Sequence, residues 1–501
     1  MQSVATLLQD IRGNRRALLY FFFLIVSPFI FYNIFSSIVI PDTPAYVEKG
    51  WTIFNDPTYV LRQTLSVVIL FMMINGTLLF WKYRVPVAMV GTALLLFGGF
   101  VDLDLLVEYM NIPVILFLLC MMVVVSYVRY LGFFDFLLER ALLATRFEPK
   151  ILLTFFVFMS AFMAAMVDEV SSILFVSLLI FDLAKRFDID PVPYLMCSIF
   201  ATNIGSSATV LGNPVGVYVA FYANLSFDDF LIWSAPAALL STFVILPIMF
   251  KRYSGFLHQF RDKLSGRQMD VEVPKLTKRA RDGGVIFAVT IVLLALHHTL
   301  ESLFSLPTNS LLIAFPLAMA SFALFSQKER AATFFEESVE WWTLVYFMFL
   351  FSISSTLEFT GVTAKISVLF ISLYEMLSAF MAPIFLILVF FMICTMVTGL
   401  LSGVIDNIVA VSIFTPIVSE IIALNLPFSG ILWWSVLIGG CYFGNATPVG
   451  STANIVVLGF LDKRSSSSVS FKKWIGIGIL VSLLTSVIAS IYVFSVMLLR
   501  G

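Results

Sequence analysis

Long apolar runs separated by short polar loops set the pattern of this chain. A helix needs roughly 20 apolar residues to cross a hydrocarbon core of about 30 Å. Runs of that kind begin near Ala17, Thr64, Val85, Ile112, Tyr194, Leu231, Gly284, Thr308, Trp341, Leu432 and Trp474, which predicts about eleven transmembrane helices. Two further runs, 151–183 and 383–422, are too long for one helix and are interrupted near the middle by acidic residues. They predict two re-entrant hairpins. The pattern as a whole predicts an all-α polytopic membrane protein.

The first run follows a short basic segment containing Arg12, Arg15 and Arg16. It is too long for the apolar region of a signal peptide and lacks a small-residue cleavage site, so it predicts a retained first helix with a cytoplasmic N-terminus. Loop charges agree, because Lys and Arg concentrate on the cytoplasmic side of short loops. Bases cluster at Lys82 and Arg84, over 129–150, over 251–281 and over 463–473. Acidic loops fall between them at 42–56, 102–108 and 228–229. One segment breaks the alternation: 328–340 is placed inside by the count although its acids outnumber its bases.

Composition narrows the class. Of 501 residues, 60% are hydrophobic and 12% charged, against about a quarter charged in soluble domains. No polar stretch is long enough to fold as a soluble catalytic domain, and no nucleic-acid motif appears. The four cysteines (Cys120, Cys197, Cys394, Cys441) lie in apolar runs without paired spacing and read as packing residues. No tightly bound structural metal and no cofactor is expected. Membrane lipid and a small ion or small-molecule substrate are the partners expected.

Two stretches match at a constant, ungapped offset of 238 residues. Asp168 pairs with Asp406, Ala208 with Ala446, Thr209 with Thr447, Leu211 with Val449 and Gly212 with Gly450. Shared polar residues at intramembrane depth are not a product of greasy composition. Arg140, Arg146, Lys150, Lys185 and Arg186 bracket the first hairpin, whereas 366–461 contains no Lys, Arg or His and carries Glu375 and Glu420. The bases of the two hairpins should therefore face opposite sides, as in the inverted-topology repeats of secondary transporters. The predicted organisation is an N-terminal helix and loop over 1–59 and a first repeat over 60–250, with hairpin 151–183 and broken helix 194–223. A basic cytoplasmic linker follows over 251–283, then a second repeat over 284–501, with hairpin 383–422 and broken helix 432–461.

The broken helices are read from NIGSSATVLGNP, beginning at Asn203, and GNATPVGSTAN, beginning at Gly444. Gly205, Gly212, Pro214, Gly444, Pro448 and Gly450 should interrupt the helices. Unwound backbone at that depth persists only where it is buried in protein or lines a cavity. It frees carbonyls for ions, and Asn203, Ser206, Ser207, Thr209, Asn213, Asn445, Thr447, Ser451 and Asn454 can add side-chain oxygens. The hairpin tips supply the charge: Asp168 and Glu169 in VDEV, Asp406 with Asn407 in IDNI. These acids can cap the helices that follow them, or carry ions, or do both. Neither hairpin nor broken helix contains a Lys or Arg, so a bound cation or proton is the simplest compensation. Clustered acids of this kind titrate as a coupled set.

These motifs resemble the ion transporter superfamily, in particular its arsenite-permease and NhaD-type sodium/proton antiporter branch, often called citrate-transporter-like. The resemblance covers roughly 60–500 and rests on the Asn203 motif, the Asp406-Asn407 tip and the Gly444 motif. It implies a homodimer of scaffold and transport domains with elevator-type movement. The sequence departs from the family at Asn213, where Asp is usual, at Val215-Gly216 in place of Pro-Asn, and at Glu169 in place of Asn. Neither tip reads Ser-Asn-Thr, as in the dicarboxylate carriers.

The expectation is thus a secondary transporter, not an enzyme, in a bacterial inner membrane, exchanging sodium or a similar cation for protons. A proton- or sodium-coupled permease for citrate, a dicarboxylate or arsenite is the alternative. A channel or a membrane scaffold without a transport cycle is the more distant one.

Overall fold

A computed structural model describes residues 15–264, 275–424, 429–464 and 469–500. Arg12 and the centre of the basic linker, 265–274, lie outside the described residues. The described chain is all-helical. Its helices of ten or more residues are α1 (Arg15–Ser37), α2 (Pro57–Leu79), α3 (Arg84–Phe97), α4 (Ile112–Tyr130), α5 (Phe133–Ala144), α6 (Pro149–Met166), α7 (Glu169–Phe187), α8 (Val192–Gly205), α9 (Pro214–Ala223) and α10 (Ala235–Arg252). They continue with α11 (Ser254–Leu264), α12 (Lys278–Phe304), α13 (Ser310–Ser326), α14 (Trp341–Phe359), α15 (Val362–Ser378), α16 (Pro383–Val404), α17 (Asn407–Ile422), α18 (Leu432–Phe443), α19 (Thr452–Arg464) and α20 (Phe471–Arg500).

Nine described helices are long and apolar enough to cross a membrane, or ten if the bent pair Ser310–Ser326 and Lys328–Ser338 is one span. The difference from eleven has specific causes. The run near Val85 forms only the 14 residues of α3, about 21 Å of helix. The runs near Tyr194 and Leu432 are each two short helices, α8/α9 and α18/α19. Conversely, the first arms of both hairpins, α6 and α16, meet the length criterion.

Both hairpins turn within two residues, Val167-Asp168 and Ile405-Asp406. The helices that precede the two hairpins are α5 and α15. Each begins after a glycine in the left-handed region, Gly132 (φ 82°) and Gly361 (φ 81°), a turn that a side chain would strain.

The chain divides into two compact units, each assembled from non-contiguous segments. The first comprises 1–115, 341–387 and 412–430. Within it α1 packs on α2, and α2, α3 and α14 pack together. Hydroxyl contacts join its helices, as is usual where apolar burial gives little drive: Ser66 to Thr360 at 3.1 Å and Ser354 to Ser412 at 2.9 Å. Lys365 is buried, and its Nζ donates to the Phe35 carbonyl at 2.6 Å. That carbonyl belongs to the last turn of α1, where the helix dipole favours a cation. Lys49 pairs with Glu420 at 3.8 Å, joining the acidic 42–56 loop to the base of the second hairpin.

The second unit comprises 116–340, 388–411 and 431–501. It holds the first hairpin, the tip of the second and both broken helices. Glu148 caps α6 through the Ile151 amide (2.9 Å) and is bonded by Arg261 of the linker-side helix α11. Partial burial acts to raise the Glu148 carboxyl, but Arg261 and the Ile151 amide outweigh it and hold it below the usual carboxylate range. The base of the first hairpin thus meets a basic segment, and that of the second an acidic loop.

Candidate functional site

The first break lies between α8 and α9. Asn213 caps α9, its Oδ1 accepting from the Gly216 amide at 2.7 Å, with Pro214 in the first helical turn. That is the position where a missing amide hydrogen costs nothing. Gly205 ends α8 and Gly212 lies in the non-helical stretch before α9, as expected, and both also sit at close backbone approaches. Neither adopts a positive φ. A Cβ at Gly205 would lie 2.3 Å from the Ala161 carbonyl oxygen, and one at Gly212 would lie 2.1 Å from that of Ser206.

The second break, between α18 and α19, repeats the arrangement. A Cβ at Gly450 would lie 2.9 Å from the Gly444 oxygen, and one at Gly444 3.0 Å from that of Cys441. Pro448 lies between them, in the non-helical stretch that separates α18 from α19. The offset of 238 also relates hydrogen bonds. Thr209 Oγ1 donates to the Ala165 carbonyl and accepts from the Leu211 amide. Thr447 Oγ1 donates to the Gly403 carbonyl (2.7 Å) and accepts from the Val449 amide (3.3 Å). Each threonine therefore ties its break to the hairpin arm leading to its own tip.

The two tips meet. Glu169 is 3% exposed, and Asn407, its counterpart at the same offset, directs Nδ2 to both of its carboxylate oxygens at 3.4 Å. Ser206 Oγ reaches Glu169 Oε2, also at 3.4 Å. Asn213 Nδ2 donates to Ser206 Oγ (2.7 Å) and lies 3.1 Å from Cys441 Sγ. Asp406 is within electrostatic reach of Glu169. Contacts of 3.4 Å lie beyond the ordinary range for N–H···O and O–H···O bonds, so this carboxylate is held loosely.

The flanking aspartates are held more closely. Asp168 Oδ1 accepts from the Val170 and Ser171 amides at 2.8 Å each, capping α7. Asp406 accepts from the Ile408 amide (3.2 Å) and from Thr452 Oγ1 (2.7 Å). The asparagines join the two breaks. Asn203 Nδ2 donates to Asn445 Oδ1 (2.7 Å) and to Asn454 Oδ1 (2.9 Å). Asn445 Nδ2 donates to the Phe200 carbonyl, and Asn454 Nδ2 to those of Gly444 and Thr447.

The sequence-predicted residues thus fall into groups. Glu169, Asn407, Ser206, Asn213 and Asp406 converge at the tips. Asn203, Asn445 and Asn454 form a buried clasp between the breaks. Ser207 donates to the Ile204 carbonyl (2.8 Å), Ser451 accepts from the Ala453 amide (3.1 Å), and Thr209 and Thr447 serve the breaks themselves.

Four contributors were missed. Thr452 holds Asp406. Cys441, read as a packing residue, contacts Asn213. Trp474 Nε1 donates to the Asn445 carbonyl at 2.9 Å. Arg129 lies within electrostatic reach of Asp168, its guanidinium 4.2 Å from the Phe175 ring centroid, so Asp168 has a cation in reach from outside the hairpins and breaks. The adjacency of Thr452 to Ser451 was the one available signal.

Residues 67–439 match the family described as citrate transporter (CitMHS). The chain belongs to that family. A curated relative, an uncharacterized transporter of Mycobacterium tuberculosis, is 28% identical over 383 residues, covering 76% of this chain and 85% of its own. The silicon efflux transporter LSI3 of Oryza sativa subsp. japonica is 26% identical over 192 residues, covering 37% of this chain and 39% of its own. The crystal structure of the YdaH transporter of Alcanivorax borkumensis covers 87% of this chain and 98% of its own at a TM-score of 0.53 and 17% identity, a likeness of fold alone. This citrate transporter family member is a membrane transporter. Its candidate site lies wholly within the second compact unit.

Proposed function

We propose that the protein is a secondary active antiporter that exchanges sodium, or a similar cation, for protons at the meeting point of the two hairpin tips. One observation carries this reading: Glu169 is buried, yet Asn407 Nδ2 and Ser206 Oγ both stand 3.4 Å from its carboxylate oxygens. A buried carboxylate this loosely satisfied is costly as an anion unless a proton or cation joins it. The nearby Asp406 and the oxygens of Ser206 and Asn407 suit a hard cation, which takes oxygen ligands. Confinement of these groups to one compact unit suits an elevator-type cycle, in which one body carries the bound ion.

The experiment uses proteoliposomes. A sodium gradient moves protons through the wild type, and Asp406→Asn abolishes the exchange. Exchange surviving in that variant overturns the assignment.

The family description favours a second reading, a coupled permease for citrate or another carboxylate. Three carboxylates at the tips, Asp168, Glu169 and Asp406, oppose an anionic substrate, and Arg129 is within electrostatic reach of Asp168. Uptake of labelled citrate without sodium/proton exchange would select that reading.

A further inference from the structure

Near the base of the first hairpin the second unit carries an apolar cavity of about 430 Å³, lined by Thr145, Ile151, Thr154, Phe155, Phe158 and Phe162 among others. Ile151 and Phe162 are half exposed. From Ile151 to Phe162 the α6 face runs about 16 Å at 1.5 Å per residue. That is close to one leaflet of a hydrocarbon core of about 30 Å.

The basic end of the groove is built. Arg146 (φ 50°) and Phe147 (φ 57°) are successive non-glycine residues in the left-handed region, a strained conformation held only by its surroundings. Phe147 is 4% exposed and packs on Phe187. Thr145 Oγ1 donates to the Leu142 carbonyl and accepts from the Phe147 amide. The loop is thereby fixed, with Arg146 exposed beside the lining residue Thr145.

Two more exposed bases flank the lining: Lys150 lies one helical turn before Thr154, and Arg140 one turn before Ala144, which also lines the cavity. Of the nearby acids, Glu148 is engaged by Arg261, and Asp135 and Glu139 are exposed on α5.

We infer that this groove is a binding site for an anionic phospholipid, its acyl chain along Ile151–Phe162 and its phosphate between Arg140, Arg146 and Lys150. The charge of the rim selects the occupant, since basic pockets beside membrane helices recruit anionic headgroups. A second copy of this face would instead oppose the same three bases to one another.

Native mass spectrometry of the purified full chain tests the site, with phosphatidylglycerol and phosphatidylcholine of identical acyl chains at equal concentration. Retained phosphatidylglycerol should exceed phosphatidylcholine by about tenfold. R146Q/K150Q, confined to exposed side chains, should bring the ratio to about one while total lipid persists. Thr154→Trp, which fills the groove, should remove both adducts. A ratio near one in the wild type, or one unchanged in R146Q/K150Q, overturns the proposal. So does a Thr154→Trp protein that keeps its lipid but changes oligomeric state, which would make the groove an interface between copies.

Discussion

Glu169 and Asn407, 238 residues apart, face each other across the two hairpin tips, the Asn407 amide nitrogen 3.4 Å from both carboxylate oxygens. The residue pair equated by the sequence offset is therefore also a contact pair. At one tip the position carries a charge and at the other an amide, so the junction holds one acid from this pair rather than two.

Coupling between these residues should depend on the ion. In a double-mutant cycle of Glu169→Gln and Asn407→Ala, sodium binding should show an interaction energy of about 0.5–3 kcal/mol. Calorimetry on the four proteins checks this, and additive effects would separate the two residues functionally.

Thr452→Val removes the hydroxyl that donates to Asp406 at 2.7 Å. A hydrogen bond to a charged group contributes about 1.5–3 kcal/mol. Sodium affinity should therefore fall roughly tenfold or more, while Thr452→Ser retains it. Equal affinity in Thr452→Val would remove Asp406 from the ion site.

Gly205→Ala should destabilise the second unit by about 1–3 kcal/mol, the usual cost of overpacking, because its Cβ would lie 2.3 Å from a backbone oxygen of α6. Gly459→Ala, with open space around its Cβ, is the control. Thermal unfolding in detergent compares them, and equal midpoints would refute the close approach.

The Glu148–Arg261 ion pair should respond to acid. A carboxyl held below its unfolded value contributes stability above that value and loses it as pH falls through the folded one. The linkage between α11 and the hairpin base should persist at neutral pH and weaken below about pH 4. Both partners are partly exposed, so the effect should stay under about 1 kcal/mol. Hydrogen exchange over 254–264 follows it, and Glu148→Gln should show the acid-form rate at pH 7.

The acids were legible in the sequence because a carboxylate inside an apolar run is conspicuous, and the breaks because proline and glycine clustered there. Thr452 was not, since a helical threonine ordinarily bonds its own backbone and its rotation about α19 depends on where the break ends. Cys441 looked like packing because its neighbours in sequence are apolar, and only the fold brings Asn213 to its sulfur. Arg129 sits at the end of α4, so its reach to Asp168 depends on packing across α7. The span near Val85 was overestimated because hydrophobicity continues past the 14 residues that α3 forms.

The measurement that bears most directly on the account is sodium-driven proton movement in proteoliposomes of wild type and Glu169→Gln, followed with an internal pH dye. The account predicts exchange in the wild type and none above empty liposomes in Glu169→Gln, with both proteins equally folded. Wild-type rates in Glu169→Gln would contradict it.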